Sequence, residues 1–433
     1  MNTIENINQQ YHSLQSVTDE GSAGALVPLE QQAFENFTRL GIPTSKHEEW
    51  KYTRIASIFN KEFGFTTQRQ LSAQDIDPVR LPGHETANEL VFINGIFMEP
   101  FSNIRSSSLI ILPLQTAIAG KYRELITRHL GHSAKYIKDG IHALNTAFLQ
   151  QGLFLHVEKS KIVEHPVYIY NITDSRDSNV LSQPRTLVHV SENAQIQMVE
   201  TYATLGTEES FTNQVMEVVV EKDARVEYYK IQNDSSRNSQ VSTTHFRQVG
   251  KSYVHAVTVT LDGGIVRNNL NIAMAADHSE AHLYGLYFLK GNTHADNHTV
   301  VDNIQPNCLS NELYKGIVDD HATAVFNGKI YVQPLAQKTN AFQSNKNILL
   351  SDEATVNTKP QLEIFADDVK CSHGCTVGQL DDEGLFYLRS RGISESTARS
   401  LLIHAFAIDI LEHIKPAHIR QYVDSLISAR LEL

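Results

Sequence analysis

The stretch DARVEYYKI, residues 223–231, contains the pattern that decides the fold of this chain. A polar turn and an alanine lead into alternating apolar residues of types that favour β-strands. The same unit recurs along the chain, with its alanine at positions 194, 224, 281, 322 and 354. The interval from 224 to 281 is close to two periods, and residues 251–254 lie near the missing unit. A degenerate period of about thirty residues is typical of a parallel β-solenoid, in which each turn stacks on the last.

The β-rich region extends from about residue 153 to residue 365, with strands predicted at 167–172, 215–220, 226–231 and 254–261. Helical patterns precede and follow it. The sequence therefore predicts a mainly β protein with a parallel β-helix core at 153–376. An N-terminal helical region at 1–152, with a β-hairpin near 90–97, and a C-terminal helical domain at 377–433 flank the core. An antiparallel sandwich with evenly spaced turns is the alternative for the core.

Two local features of the N-terminal region are specific enough to predict. Asn94 and Gly95 lie between two apolar runs, which is the signature of a hairpin with a type I′ turn. Trp50, the chain's only tryptophan, and Tyr52 lie in PTSKHEEWKYT, residues 43–53. Both aromatic side chains are predicted to be packing anchors.

The composition argues against several classes of function. A formal charge of -12 over 433 residues disfavours unspecific nucleic-acid binding, which needs a basic face. Three cysteines exclude a disulfide framework and indicate a reducing compartment. No apolar run approaches the length of a membrane span, and the polar start lacks the pattern of a secretory signal. A cytoplasmic protein is therefore expected.

Two of the cysteines lie in CSHGC, residues 371–375, directly after a run of extended character. Side chains alternate along a strand, so Cys371, His373 and Cys375 are predicted to project from one face. Thiolate and imidazole are ligands that iron, zinc and copper prefer. Three ligands on one strand cannot enclose a metal. Either another element completes a site, or these cysteines are simply small hydrophobic residues.

The helix predicted from Ser394 to about His413 is apolar on nearly every side. Its apolar residues include Leu401, Leu402, Phe406 and Ile410. A helix that is apolar all round is buried all round. The two terminal helices alone are too small to bury this surface. Part of it is therefore predicted to bind a partner, or the helices pack as a cap on the end of the solenoid.

Several segments of the chain resemble the SufB/SufD family. They are residues 43–53, SNELYKG at 310–316, NILLS at 347–351, VKCSHG at 369–374, TVGQL at 376–380 and LFYLRSRG at 385–392. The resemblance covers essentially the whole chain. It is greater to the SufD branch, because the SufB branch is usually longer and has extra cysteines in its N-terminal half. This chain has no cysteine before Cys308.

The resemblance implies a non-catalytic subunit of an iron–sulfur cluster assembly complex, with a right-handed parallel β-helix between helical domains. It implies two partners: SufB, which pairs through the β-helices, and the ATPase SufC, which binds ATP and Mg and docks on the C-terminal helices. Leu401, Leu402, Phe406 and Ile410 are the residues predicted to contact SufC. The chain alone is expected to hold no tight cofactor and to be able to form a homodimer. Flavin in the complex is left open, and neither nucleic acid nor a membrane is expected as a partner.

The family's C-S-H motif assigns to His373 a position beside a SufB cysteine, where a nascent cluster is built and shared. Cys371 matches the cysteine of the motif. Cys375 stands where the family commonly has a small residue such as alanine, so it is either an added ligand or a packed thiol. Two other functions remain as alternatives: a secreted-type β-solenoid enzyme acting on polysaccharides, and a purely structural partner of SufB and SufC.

Overall fold

The computed structural model describes residues 3–17, 24–65 and 71–431. The helices are α1 (Thr3–Val17), α2 (Val27–Leu40), α3 (Ala73–Ile76), α4 (Leu114–Ala119), α5 (Arg123–His129), α6 (Gly140–Thr146), α7 (Asp382–Ser390), α8 (Glu395–Leu411) and α9 (Ala417–Leu431). Short 3-10 helices lie at Glu48–Trp50, Ile58–Asn60, Asp77–Val79, Glu99–Phe101, His132–Lys135 and Leu149–Gln151. The strands are β1 (Asn88–Ile93), β2 (Ile96–Phe97), β3 (Leu109–Pro113), β4 (Leu153–Val157), β5 (Val167–Asp174), β6 (Val180–Ser182), β7 (Arg185–Val190), β8 (Gln195–Leu205), β9 (Ser210–Val220), β10 (Arg225–Asn233), β11 (Asn238–Gln248), β12 (Tyr253–Asp262), β13 (Ile265–Met274), β14 (Glu280–Leu289), β15 (His294–Asn303), β16 (Leu309–Val318), β17 (Thr323–Val332), β18 (Asn340–Leu349), β19 (Thr355–Thr358), β20 (Gln361–Ile364) and β21 (Lys370–Gly378).

The strands form two long sheets that are wound together as a parallel β-helix. One sheet has ten strands, in the order β2-β1-β5-β8-β10-β12-β14-β16-β18-β21, and the other has eleven. From β7 onward the chain alternates between the two sheets, so each turn contributes a strand to both. The prediction of a parallel solenoid is confirmed, and the antiparallel alternative is wrong.

The predicted period of about thirty residues is the length of one turn. From β4 onward, residues paired between successive turns are separated by 26 (Gln240 with Val266) to 33 (Leu153 with Thr186) positions. Residues 251–254 do supply the missing unit, because Tyr253 pairs with Arg225. The recurrent alanines nevertheless do not all occupy the same position within a solenoid turn. Ala194 and Ala224 directly precede strands of the ten-stranded sheet and Ala281 lies in one, whereas Ala322 and Ala354 precede strands of the other sheet.

Apolar packing extends inside and outside the solenoid. One continuous cluster fills the interior, and it includes Met198, Val218, Val254 and Leu283. The N-terminal helices cover the outer face of the eleven-stranded sheet, and the C-terminal helices cover that of the ten-stranded sheet. With both faces covered, a strand such as β9 is buried at every position. This double burial lets such a strand carry apolar residues on both of its faces.

The N-terminal region is less separate from the core than its helical patterns suggested. Asn94 and Gly95 both have positive φ, at 50° and 84°, as the predicted type I′ turn requires. The hairpin that they connect joins the solenoid, because β1 pairs in parallel with β5. Strand β3 likewise pairs with β4 and ends the eleven-stranded sheet.

Residues 43–53 cross the outer face of the eleven-stranded sheet. Trp50 is buried there, donates from Nε1 to Asp139 Oδ2 at 3.0 Å, and stacks under the Arg267 guanidinium. The prediction that Trp50 is a packing anchor is confirmed. The same prediction for Tyr52 is wrong, since its side chain is 43% exposed. An ion pair between Glu49 and Lys329 also holds the segment against the sheet.

The C-terminal helices lie along the side of the ten-stranded sheet. Ser394 caps α8 as predicted, with its Oγ accepting from the Thr397 amide at 3.2 Å. Helix α8 packs against β14 and β16, and Ile403, Ala407 and Ile410 are buried in that contact. The alternative of a cap on the solenoid's end is therefore wrong. None of the helices in the described part of the chain is long and apolar enough to cross a bilayer.

Candidate functional site

The CSHGC segment lies in β21, the last strand of the ten-stranded sheet. One edge of β21 pairs in parallel with β18, and among the described residues no strand pairs with its other edge. In the other sheet, the short strands β19 and β20 pair with β17 and end that sheet at the same turn. We call this last turn, from β18 to β21, the open end of the solenoid.

The register places the three predicted site residues on one row of the strand. Cys371 lies beside Ala341 of β18, His373 beside Gln343, and Cys375 beside Asn345. Those three β18 residues are buried in the solenoid, so the site residues continue a row that faces its interior. At the open end this row is uncovered: His373 and Cys375 are exposed, and Cys371 is half-buried.

The strand supplies ligands but does not enclose a metal. Alternate residues of a strand lie about 6.6 Å apart, so Cys371 and Cys375 are about 13 Å apart. Two thiolates on one metal, each about 2.3 Å from it, lie much closer than that. Among the described residues, no three His, Cys, Asp or Glu side chains are grouped to hold a metal ion. A metal bound by His373 therefore needs ligands from outside this strand.

The two thiols of this strand are in different environments. Cys371 packs against the interior cluster, and burial raises the pKa of its thiol, which favours the protonated form. Cys375 is exposed and has no such packing, so the prediction of a packed thiol does not describe it. Which of the two thiols contacts a cluster stays a prediction.

Exposed apolar side chains surround the open end. Phe342 on β18, Ile364 on β20, Phe365 beyond it and Val377 on β21 are each at least 41% exposed. A sheet edge with exposed apolar groups is a template for pairing with another chain. The sequence did not indicate this surface, because the same residue types are buried in the earlier turns.

The predicted docking residues on α8 have unequal exposure. Leu401 is 48% exposed, Leu402 and Phe406 are partly buried, and Ile410 is fully buried against the solenoid. Ile410 therefore stabilises the chain's own fold and offers no surface to a partner. The exposed stripe of α8 is formed instead by Leu401, Ala405 and Ile408, at helical spacing. Phe386 and Tyr387 on α7 are also exposed, and the sequence reasoning missed them.

A buried carboxyl near the open end was also missed. Glu312 lies in the SNELYKG segment, on β16, and is only 2% exposed. Burial raises the pKa of its carboxyl to about 7. Alternation along the strand puts Ser310, Glu312 and Tyr314 on one face, but the local sequence does not show that this face is the interior one.

The shifted carboxyl predicts a pH dependence of stability. The folded protein binds the Glu312 proton more tightly than the unfolded chain, whose carboxyl has a pKa of 4.5. The free energy of unfolding should therefore decrease as the pH rises from about 4.5 to about 7. The Glu312→Gln variant has no carboxyl at this position, so its free energy of unfolding should not decrease in this way. The difference in free energy of unfolding, variant minus parent, should therefore increase by about 3 kcal/mol between about pH 5 and about pH 8. Chemical denaturation of both proteins at each pH measures the difference, and a pH-independent difference would contradict the shift.

Comparison with known proteins gives matches over most of the chain. Residues 171–406 match the model of the SUF system FeS cluster assembly SufBD core domain, and residues 1–169 match the SufBD protein N-terminal region. An iron–sulfur cluster assembly SufBD family protein of Synechocystis is 33% identical over 94% of this chain and 91% of its own length. The iron–sulfur cluster assembly protein SufD of Escherichia coli is 29% identical over 98% of this chain and 96% of its own. SufD of Bacillus subtilis is 25% identical over 76% and 75%. The chain therefore belongs to the SufBD family of iron–sulfur cluster assembly proteins, in which it is SufD-like.

Proposed function

We propose that this chain is a non-catalytic scaffold subunit that pairs with a SufB-type protein and contributes His373 to the site where an iron–sulfur cluster is assembled. The observation that carries the proposal is the open end, where a strand with one edge unpaired by any described strand presents His373 from an interior row. Iron–sulfur clusters are held mainly by thiolates, with histidine as an occasional ligand. An imidazole from this chain and thiolates from the partner form a chemically sound mixed site.

The surroundings of the open end support pairing with another β-helix. Its exposed apolar side chains and unpaired edge are features that a second sheet can cover by adding strands. A homodimer of the isolated chain would use the same surface in the absence of the SufB-type partner. Because the site contains the exposed thiol of Cys375 and the half-buried thiol of Cys371, we place the complex in the cytoplasm, where thiols stay reduced.

The exposed stripe of α8, together with α7, is the proposed docking surface for a SufC-type ATPase. In this assignment ATP and Mg bind to the ATPase. A movement of the ATPase is then transmitted through α8 of this chain to β14 and β16. Lys315 on β16 supports that path, because its Nζ donates to the Phe406 carbonyl of α8 at 2.9 Å and pairs with Asp409.

Co-purification tests the proposed complex directly. The chain, carrying an affinity tag, is expressed with SufB- and SufC-type partners, and the purified subunits are identified. Iron and acid-labile sulfide are then counted after anaerobic reconstitution, and flavin is assayed in the same sample. We expect a cluster in the complex and little bound iron on the chain alone. A stable cluster on the isolated chain, or no association with either partner, would overturn the proposal.

The purified chain is expected to hydrolyse no ATP. The segment at Gly250–Ser252 resembles the end of a phosphate-binding loop, but His245 stands where that motif requires glycine. The measurement is phosphate release by the chain alone and after addition of the SufC-type protein. Hydrolysis by a preparation that is shown to contain no ATPase subunit would contradict the assignment as a scaffold.

A further inference from the structure

The interior row that ends in His373 changes its chemistry near the open end. Going back from His373 one turn at a time, the register partners are Gln343, Glu312, Leu283 and Ala256. The row is thus apolar at Ala256 and Leu283 and polar in its last three turns. Polar side chains are costly to bury unless they are hydrogen-bonded, so the partners of Glu312 and Gln343 decide what this part of the row can do.

Gln343 and Glu312 form a buried hydrogen-bonded pair. Both side chains are 3% exposed or less, and Gln343 Nε2 donates to Glu312 Oε2 at 2.8 Å. The opposite sheet leaves room for this amide at Gly328, where an added Cβ would lie only 2.2 Å from Gln343 Nε2. The ten-stranded sheet therefore supplies both members of the pair, and the eleven-stranded sheet leaves the space for them.

The other end of the amide has a free acceptor. Gln343 Oε1 is buried and makes no hydrogen bond within the described part of the chain. Because the nitrogen of the amide is turned toward Glu312, its oxygen is turned away from that carboxyl. The next turn in that direction carries His373, the register partner of Gln343. Other buried amide oxygens of the described chain also lack a partner, such as those of Gln240 and Gln248, but Gln343 is the one whose neighbour in the next turn is His373.

We infer that Gln343 is a positioning residue for His373: its Oε1 accepts a hydrogen bond from one imidazole N–H once a partner covers the open end. The other ring nitrogen then faces the cluster. Glu312 holds the amide in the orientation that presents oxygen to His373. Histidines that bind a metal usually donate their second N–H to a carbonyl or carboxylate, which fixes the tautomer and the ring orientation. The assignment rests on the proposed function of His373.

The test compares three variants in the assembled complex with the SufB- and SufC-type partners. Gln343→Leu removes the acceptor and is expected to lower the rate of cluster formation by about tenfold or more. The double variant Glu312→Gln with Gln343→Glu reverses the pair but keeps an acceptor oxygen beside His373. This variant should retain a rate within about threefold of the parent, because the hydrogen bond to the imidazole is preserved.

Asn347→Leu is the matched control. Asn347 lies on the same strand and is equally buried, but its register partner is Val377 and its amide bonds to Asn345 and the Thr376 carbonyl. If loss of interior hydrogen bonds alone slowed assembly, Asn347→Leu would be at least as slow as Gln343→Leu. We expect it to assemble clusters at nearly the parental rate. Thermal unfolding of each complex checks that the subunits remain folded.

Pulsed EPR of the reduced cluster provides a readout that a structural role would not change. The nitrogen coupling of a bound histidine should be absent in His373→Ala, altered in Gln343→Leu and preserved in Asn347→Leu. Normal assembly in His373→Ala would overturn the proposed function itself. Failed assembly in His373→Ala with parental rate and coupling in Gln343→Leu would leave that function standing and overturn this inference. Equal losses in Gln343→Leu and Asn347→Leu would also overturn it.

Discussion

Replacing His373 with alanine is expected to lower cluster formation by at least about tenfold in the complex with the SufB-type partner. The imidazole is exposed at the open end and belongs to an edge strand, so its removal leaves no interior cavity. Folding and assembly of the complex should therefore survive the substitution. Anaerobic reconstitution, followed by visible absorbance and by counting iron and acid-labile sulfide per complex, measures the effect.

The two cysteines of the same strand are the controls for His373. Cys375→Ala should have a mild effect, because this side chain is exposed and does not pack against the interior cluster. Cys371→Ala should lie between the two, since its sulfur is half-buried and burial raises the pKa of the thiol. Thermal unfolding separates loss of the site from loss of the fold. If an intact His373→Ala complex builds clusters at the normal rate and yield, the chain is a purely structural partner.

The second large effect is expected on α8, where Leu401→Glu should weaken binding of the SufC-type ATPase. Leu401 is the one predicted docking residue with a largely exposed side chain, and it lies on a stripe with Ala405 and Ile408. Apolar anchors at the centre of an interface carry most of its binding energy. A buried charge at this point should cost about 2 kcal/mol or more, which is roughly a thirtyfold loss of affinity.

Gln421→Glu on the exposed surface of α9 adds the same charge and serves as the matched control. Its affinity for the ATPase should change by less than about threefold, because exposed charges away from an interface contribute little. Affinity is measured by titration of the labelled ATPase, and circular dichroism confirms the fold. Unchanged affinity in Leu401→Glu and in Ile408→Glu would show that this stripe is not the docking surface. Charged substitutions at Ile410 are unsuitable here, since that side chain is buried within the chain.

Much of the architecture could be predicted from local patterns. The recurrent unit around residue 224 indicated the length of one turn, and the strands pair at that spacing. Asn94 and Gly95 indicated their turn because few residues tolerate positive φ. Ser394 indicated the start of α8 because its hydroxyl can satisfy a free amide at a helix end. The turn and the helix start each depend on a few neighbouring residues, which is the range over which backbone preferences act, whereas the length of one solenoid turn was indicated by the recurrence of one local pattern along the chain.

What only the tertiary structure decided is which side chains are covered. His373 and Gln343 occupy the same interior row, yet Gln343 is buried and His373 is exposed, because a further turn covers only the former. Ile410 and Leu401 are both apolar residues of α8, but only Ile410 faces β14 and β16. The pairing of Glu312 with Gln343 joins residues that are 31 positions apart. Burial depends on what stacks against a residue from distant parts of the chain, and no local pattern records where that stacking ends.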